Sequence, residues 1–442
     1  MKIRTRTQIW AGGAPAYGTP RRRPARMAIL VAGILPAAAY AQTALTWQQI
    51  KQNFEATNPT LKAAQASIDE SRANEITAYL RPNPQIGLTV DGFQIVPGTG
   101  GGWRPLGGIF ETPSISYLHE RRHKRELRLA GAKLSTEIAA STYLDQKRNL
   151  LFNLRTAFVN TLQAKAVLQN AQENLTYWDH ELEVNRIRFK GGDLAKVDLR
   201  RLELQRVQFE SDYQTALVNL RTAKIQLLML LNSRTPIEQF DVSGPFDFVG
   251  ELLPIEEYHK VALDSRPDLK AAVQQVEAAE SAHRLAIANG STDPTFSVWY
   301  THNPSIANPF ATQTIGSGIS IPLRIFDRNQ GEKARTAIDI VRNERLRDAT
   351  RAQVFSDVDS AYFTILSTLN LLRPYKSTYL PEAIEVRDTI AFSFKNGGAS
   401  LLDYLDTEKA YRDTRLAYLN LIGSHLIATA QMNMAAGREV IP

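Results

Sequence analysis

Two aspartates, Asp403 and Asp406, stand three residues apart in ASLLDYLDTEKA, a spacing that puts both on one side of a helix. Ser400 precedes Asp403 by three residues, the pattern of a capping box, and an acid in a first helical turn complements the helix dipole. Asp406 lies too far along to cap, so its carboxylate is free for other work. The remaining titratable side chains do not gather into a catalytic set. The seven histidines are scattered, and only His119 and His123 stand four apart, among Arg121, Arg122, Lys124 and Arg125. That setting suits a solvated or headgroup-facing basic patch and repels a divalent cation. There is no cysteine, hence no disulfide framework and no thiolate metal site. No nucleophile elbow or phosphate loop occurs, so no enzyme and no cofactor are expected.

The aspartates belong to a segment that the chain contains twice. FKGGDLAKVDLRRLELQ begins at Phe189, and FKNGGASLLDYLDTEKA begins at Phe394; they align without a gap, placing Asp198 on Asp403 and Glu203 on Glu408. In each copy a glycine pair, Gly191-Gly192 or Gly397-Gly398, separates two long stretches of helical composition, which is where a reversing chain uses positive φ. Each copy is therefore expected to be the tip of a helical hairpin. Along the returning arm Leu202, Phe209 and Ala216, with Tyr213, Leu220 and Leu227, recur in steps of seven, a narrow coiled-coil seam.

The formal charge of +7 belongs to the leader. Residues 1–41 hold seven of the 52 basic residues and no acid, which leaves 45 basic against 45 acidic residues and no basis for nucleic-acid binding. MAILVAGILPAAAYA (Met27–Ala41) follows those arginines and ends in a small-x-small site. It reads as a signal peptide over 1–41, too short for the ~20 apolar residues of a spanning helix.

Two structural repeats are expected after it, 42–232 and 256–442, joined by a proline-bearing connector at 233–255. Each offers a helix broken near a proline (Pro59, Pro267), two strand-like runs, a long helical region and a tip. In the first pair of runs Ile86, Leu88 and Val90 alternate with small or polar residues, and the run after it, through Ile115 and Tyr117, carries a disruptive Pro113. In the second pair Phe296, Val298 and Tyr300, then Ile315, Ile319 and Ile321, do the same. The first long helix, from about Glu120 to Lys190, would extend roughly 100 Å and must protrude or join a bundle. The second, Asp327 to Lys395, is expected to be interrupted near Pro374 and Pro381. Four short strands cannot close a membrane barrel, which starts at about eight strands. A barrel therefore requires two or three chains; the alternative is a small soluble sheet packed on the helices.

This duplicated layout resembles the TolC-type outer-membrane efflux proteins over nearly all of the chain. ISIPLRIFDRNQGEKARTA, from Ile319, is similar to the strand-to-helix corner of the CzcC-like, heavy-metal branch, with Pro322, Asp327, Arg328, Asn329, Gln330 and Gly331 at the turn. The first-half corner, ISYLHERRHKRELRLAGA, carries Glu120-Arg121-Arg122 where the family has a glycine-lysine-arginine step. The resemblance implies a mainly α chain with a small β part, in which long coiled-coil hairpins and four membrane strands build an oligomeric α/β-barrel channel. It implies a homotrimer with twelve strands in the outer membrane, a helical tunnel through the periplasm, and docking at the tips to a periplasmic adaptor and an inner-membrane pump of the RND type. Asp403 and Asp406 would then form carboxylate rings at the tunnel entrance, with Asp198 on its outer side. A coiled-coil structural or adhesive protein without a channel is the rival reading.

Overall fold

The computed structural model describes residues 44–97, 102–248, 250–303 and 312–441; the expected signal peptide lies outside them. Its first two helices meet at the proline. α1 (Trp47–Thr57) starts on a capping box between Thr46 and Gln49, and α2 (Pro59–Tyr79) takes Pro59 at its first position, where no N–H is needed, while the Asn58 side chain accepts from Leu61 N at 3.0 Å. The second half repeats this pair as α5 (Ile255–Ser265) and α6 (Pro267–Asn289).

Four strands follow in two pairs: β1 (Gln85–Asp91), β2 (Phe110–Leu118), β3 (Thr295–His302) and β4 (Gln313–Ser320). They form one antiparallel sheet in the order β1-β2-β3-β4. Pro113 sits inside β2 opposite Leu88, and β1 pairs along the whole run. On the other side the register to β3 is continuous except at Thr112 and Pro113, since proline has no N–H to donate; Thr112 Oγ1 instead meets Thr301 Oγ1 at 3.2 Å.

The register sorts the side chains into two unlike faces. One carries Ile86, Leu88, Ile115, Tyr117, Phe296, Val298, Tyr300, Ile315 and Ile319, with Ile86 86% and Ile315 80% exposed. The other carries Gly87, Thr89, Ser114, Ser116, Ser297, Gly316 and Gly318, and a Cβ on Gly316 would come within 2.6 Å of the Trp299 ring that lies over it. The apolar face is the more exposed of the two, while the small polar face is half-buried in β2, β3 and β4, the reverse of a soluble sheet.

The strands lead into long helices. α3 (Lys124–Gly191) and α4 (Lys196–Leu230) form the first hairpin. The second is made of α7 (Gln330–Pro374), α8 (Leu380–Lys395) and α9 (Leu401–Ala436). The expected interruption near Pro374 and Pro381 is a single π-helical turn, Tyr375–Tyr379, and not a break. A π turn absorbs the lost backbone donors while the chain keeps its course. Two apolar cores lie near the connector: Leu154, Phe158 and Leu162 with Leu227, Ile50 and Phe54, and Val358, Ala361, Ile365 and Leu369 with Met432 and Tyr258. A third lies at the tips.

The corners between sheet and helices are also duplicated. Arg122 (φ 60°) and His123 (φ 54°) turn the chain into α3, and Asn329 (φ 61°) turns it into α7. Asn329 N donates to Asp327 Oδ1 at 2.8 Å, its side-chain amide to Ala286 O at 2.8 Å, and Arg328 N to Gln330 Oε1 at 2.8 Å. These bonds hold asparagine in a left-handed conformation that it tolerates better than most residues. His119 and His123 share no helical face, because the first follows a strand and the second is the helix N-cap.

Candidate gate at the hairpin tips

The two tips are built alike and charged differently. Gly192 (φ 90°) and Gly397 (φ 77°) take the left-handed conformation, whereas Gly191 ends α3 and Gly398 has ordinary φ. Gly398 is nevertheless confined, since a Cβ there would come within 2.9 Å of Ser393 Oγ. After the second tip the capping box is present: Ser400 Oγ donates to Asp403 Oδ2 at 2.6 Å, and Asp403 N donates back to Ser400 Oγ at 3.2 Å. These bonds from Ser400 hold the Asp403 carboxyl below the usual carboxylate range. Asp403 remains exposed while it caps, so the two uses of this residue are compatible. Asp406 is exposed and has no hydrogen bond or ion pair among the described residues.

The first tip pairs the counterpart of Asp403. Ala195 stands at the N-cap position where the second copy has Ser400, and Arg201 stands where it has Asp406. Arg201 Nη1 lies 3.7 Å from Asp198 Oδ1. Each tip thus keeps an exposed acid without an ion pair among the described residues, Asp193 in the first and Asp406 in the second.

Behind the second tip is a cluster that the sequence marked only as an aligned pair of glutamates. Glu203 is half exposed and meets Arg186 at 3.3 Å, but its counterpart Glu408 is 6% exposed. Glu408 Oε1 accepts from the Tyr177 hydroxyl at 3.3 Å. Burial raises its carboxyl to about 7, opposed by the Arg387 charge and reinforced by Glu181. Tyr177 is pushed up to about 12 by the same burial and by Glu408. Glu181, itself buried, accepts from Lys395 Nζ at 2.8 Å across the gap between the hairpins. Stacked rings close the cluster, with Phe394 on Tyr404 at 4.9 Å and Tyr404 on Trp178 at 6.0 Å. The signal that could have found it is the pair Tyr177-Trp178 one helical turn before Glu181, aromatic residues inside an otherwise polar stretch.

Residues 259–438 match the family model described as outer membrane efflux protein. Over that stretch the chain is similar to the outer membrane efflux proteins. It is 22% identical to the cobalt-zinc-cadmium resistance protein CzcC of Cupriavidus metallidurans over 86% of this chain and 87% of that one. It is 23% identical to the outer membrane protein TolC of Escherichia coli, covering 88% and 81%. Among solved structures, CusC superposes with a TM-score of 0.75 at 17% identity, covering 88% of this chain and 92% of that one; VceC of Vibrio cholerae gives 0.71 at 15%, covering 88% and 96%. The expected fold and outer-membrane location are borne out, and family members are conduits and not enzymes.

Proposed function

We propose that three copies of this chain join their sheets edge to edge in a twelve-stranded barrel, continue it as a helical tunnel into the periplasm, and there receive substrate from an adaptor and an inner-membrane pump. The observation that carries this is the sheet: its more exposed face is apolar, its other face is small and polar, and β1 and β4 are open edges. Open edges in lipid leave backbone groups unsatisfied, and closure with further copies removes them. A second apolar seam supports the same assembly. On α4, Leu202, Phe209, Ala216 and Ala223 are buried against α3, while Val197, Leu204, Val218 and Ile225, also at multiples of seven, are more than half exposed. The second seam lies on the opposite side of the helix and has no partner within the chain, as a coiled-coil position between subunits requires.

The conduit is passive, and Asp403 and Asp406, repeated by threefold symmetry, narrow its entrance with carboxylates, while Asp198, paired with Arg201, stands outside the ring. Gly191, Gly192, Gly397 and Gly398 shape the adaptor-docking tips, and the corner from Pro322 to Gly331 hands barrel over to tunnel. Metal cations are the proposed cargo. The CzcC relative is named for cobalt, zinc and cadmium resistance, and a ring of acids favours cations. The repeat boundaries 42–232 and 256–442 are part of this reading. The test is a deletion strain complemented with the chain and challenged with cobalt, zinc, cadmium and organic dyes. Restored metal tolerance is expected; restored dye tolerance alone would reassign the cargo.

A further inference from the structure

We propose that a cleft at the foot of the sheet's apolar face binds the phosphate of a phospholipid in the periplasmic leaflet, with the acyl chains lying up that face. The proposal rests on the reading of the sheet as a membrane wall. The cleft has a volume of about 450 Å³, and Arg81, Arg121, Arg122, Lys124 and Arg125 face it against two acids, Glu120 and Glu126. Part of that charge is already matched. Lys124 Nζ binds Asp293 Oδ2 at 2.6 Å, Arg125 binds Glu126 at 2.8 Å, and Glu120 is taken by Arg128 from the neighbouring turn. Arg121 spends its guanidinium on neutral oxygens only, Thr292 O at 2.8 Å and Thr292 Oγ1 at 3.0 Å. Arg81 and Arg122 have no hydrogen bond or ion pair among the described residues. Three guanidinium groups thus stand without a carboxylate bonded to them.

Which side of the sheet the cleft opens on decides the ligand. Tyr117 lines it and belongs to the same face as Ile115. The His119 ring, also in the lining, meets Phe296 edge-on at 6.4 Å, and Phe296 is the cross-strand partner of Tyr117. The positive cleft therefore lies directly beneath the apolar wall and not on the small polar side. A free anion needs only the charges, whereas a phospholipid needs the charges and the apolar wall above them. At the same end of the sheet, beyond β4, Leu323, Ile325 and Phe326 are 61–89% exposed around Arg324, a second stretch with the composition of a bilayer interface. Basic clefts at this depth hold phosphate headgroups, and each cation near an anionic surface contributes about fivefold in affinity.

The experiment uses the whole mature chain extracted in detergent. Phosphatidylglycerol, diacylglycerol or inorganic phosphate is added, and bound molecules are counted by native mass spectrometry for wild type and for the double variant Arg81→Gln, Arg122→Asn. Asparagine keeps the left-handed backbone at position 122 accessible. The wild type and a charge-matched control, Arg345→Gln with Arg351→Gln, are both expected to retain phosphatidylglycerol at least tenfold better than the double variant. Diacylglycerol should not bind, and inorganic phosphate should not displace the lipid. Equal retention by wild type and double variant overturns the proposal, as does phosphate binding without any preference for the lipid. If the chain needs no detergent at all, the membrane reading fails first; if it needs detergent and binds no lipid at this cleft, only the lipid site fails.

Discussion

Glu408 illustrates how much of a residue's chemistry comes from what packs on it. Its carboxyl faces Tyr177 and Glu181 from α3, Arg387 and Asp388 from α8, and Tyr404 on its own helix, while Lys395 of α8 is held by Glu181. A carboxyl raised to about 7 is neutral in the packed state, so the stability it allows is fully present below about pH 4.5 and is lost as pH rises through 7, at a cost of roughly 3 kcal/mol. Amide exchange over residues 394–408 should accelerate between pH 6 and pH 8 beyond its intrinsic rise. In Glu408→Gln that excess should vanish, and an unchanged excess would refute the assignment. The acids proposed for the tunnel entrance make a separate prediction. Asp406→Ala should reduce cation preference and raise conductance in planar bilayers with assembly intact, because Asp406 supports no bond within the chain. Asp403→Ala should also lose the cap bonded to Ser400, so its effect mixes charge with helix stability. Unchanged selectivity in Asp406→Ala would remove the gate. The aspartates were legible in the sequence because spacing alone aligns them. Glu408 was not, because its perturbation depends on a hairpin more than two hundred residues away.

At the scale of elements, the glycine pairs, the proline at the start of α2 and α6, and the seven-residue seam of α4 were all readable, since each is a local rule repeated twice. Pro113 was readable as a disturbance but not as a resolved one, because the sequence does not show that only one of its two neighbouring strands loses the pairing. The π turn after Pro374 was read as an interruption for a similar reason: composition reports a missing donor, not how neighbouring turns absorb it. Gly397 turns one of these local rules into a test. Nothing lies within 4 Å of where its Cβ would be, so the cost of a side chain is conformational, from φ 77°, and not steric crowding. Gly397→Val should cost more than the ~1 kcal/mol of a mild glycine change and distort the docking tip before it unfolds the hairpin. Circular dichroism should show a folded chain while efflux is impaired; normal efflux would show that the tip tolerates the distortion.

The whole molecule is unfinished as a single chain, in two places that agree. The sheet ends in open edges at β1 and β4, and α4 ends in an exposed seam running parallel to its buried one. Two chains would give eight strands and three would give twelve, and the strands alone do not choose between them. The absence of cysteine makes the choice measurable. Leu88 on β1 and Ser317 on β4 lie on the same exposed face, so Leu88→Cys with Ser317→Cys, scanned one pair of positions along β4 if needed, can bridge neighbouring copies when their Cα atoms come within about 7 Å. Each copy then carries one reactive edge toward each neighbour, and a closed ring consumes all of them. Oxidation in the outer membrane should give a ladder that stops at three chains, with no larger species, because a heterologous contact that closes has a fixed number of members. A ladder ending at two chains would support an eight-stranded barrel, and one that continues past three would show an open assembly. Leu204→Glu, which places a charge in the exposed seam of α4, should lower the yield of the three-chain band while leaving the helical content of the monomer unchanged; a monomer that unfolds instead would mean the seam stabilises the chain itself and not its assembly.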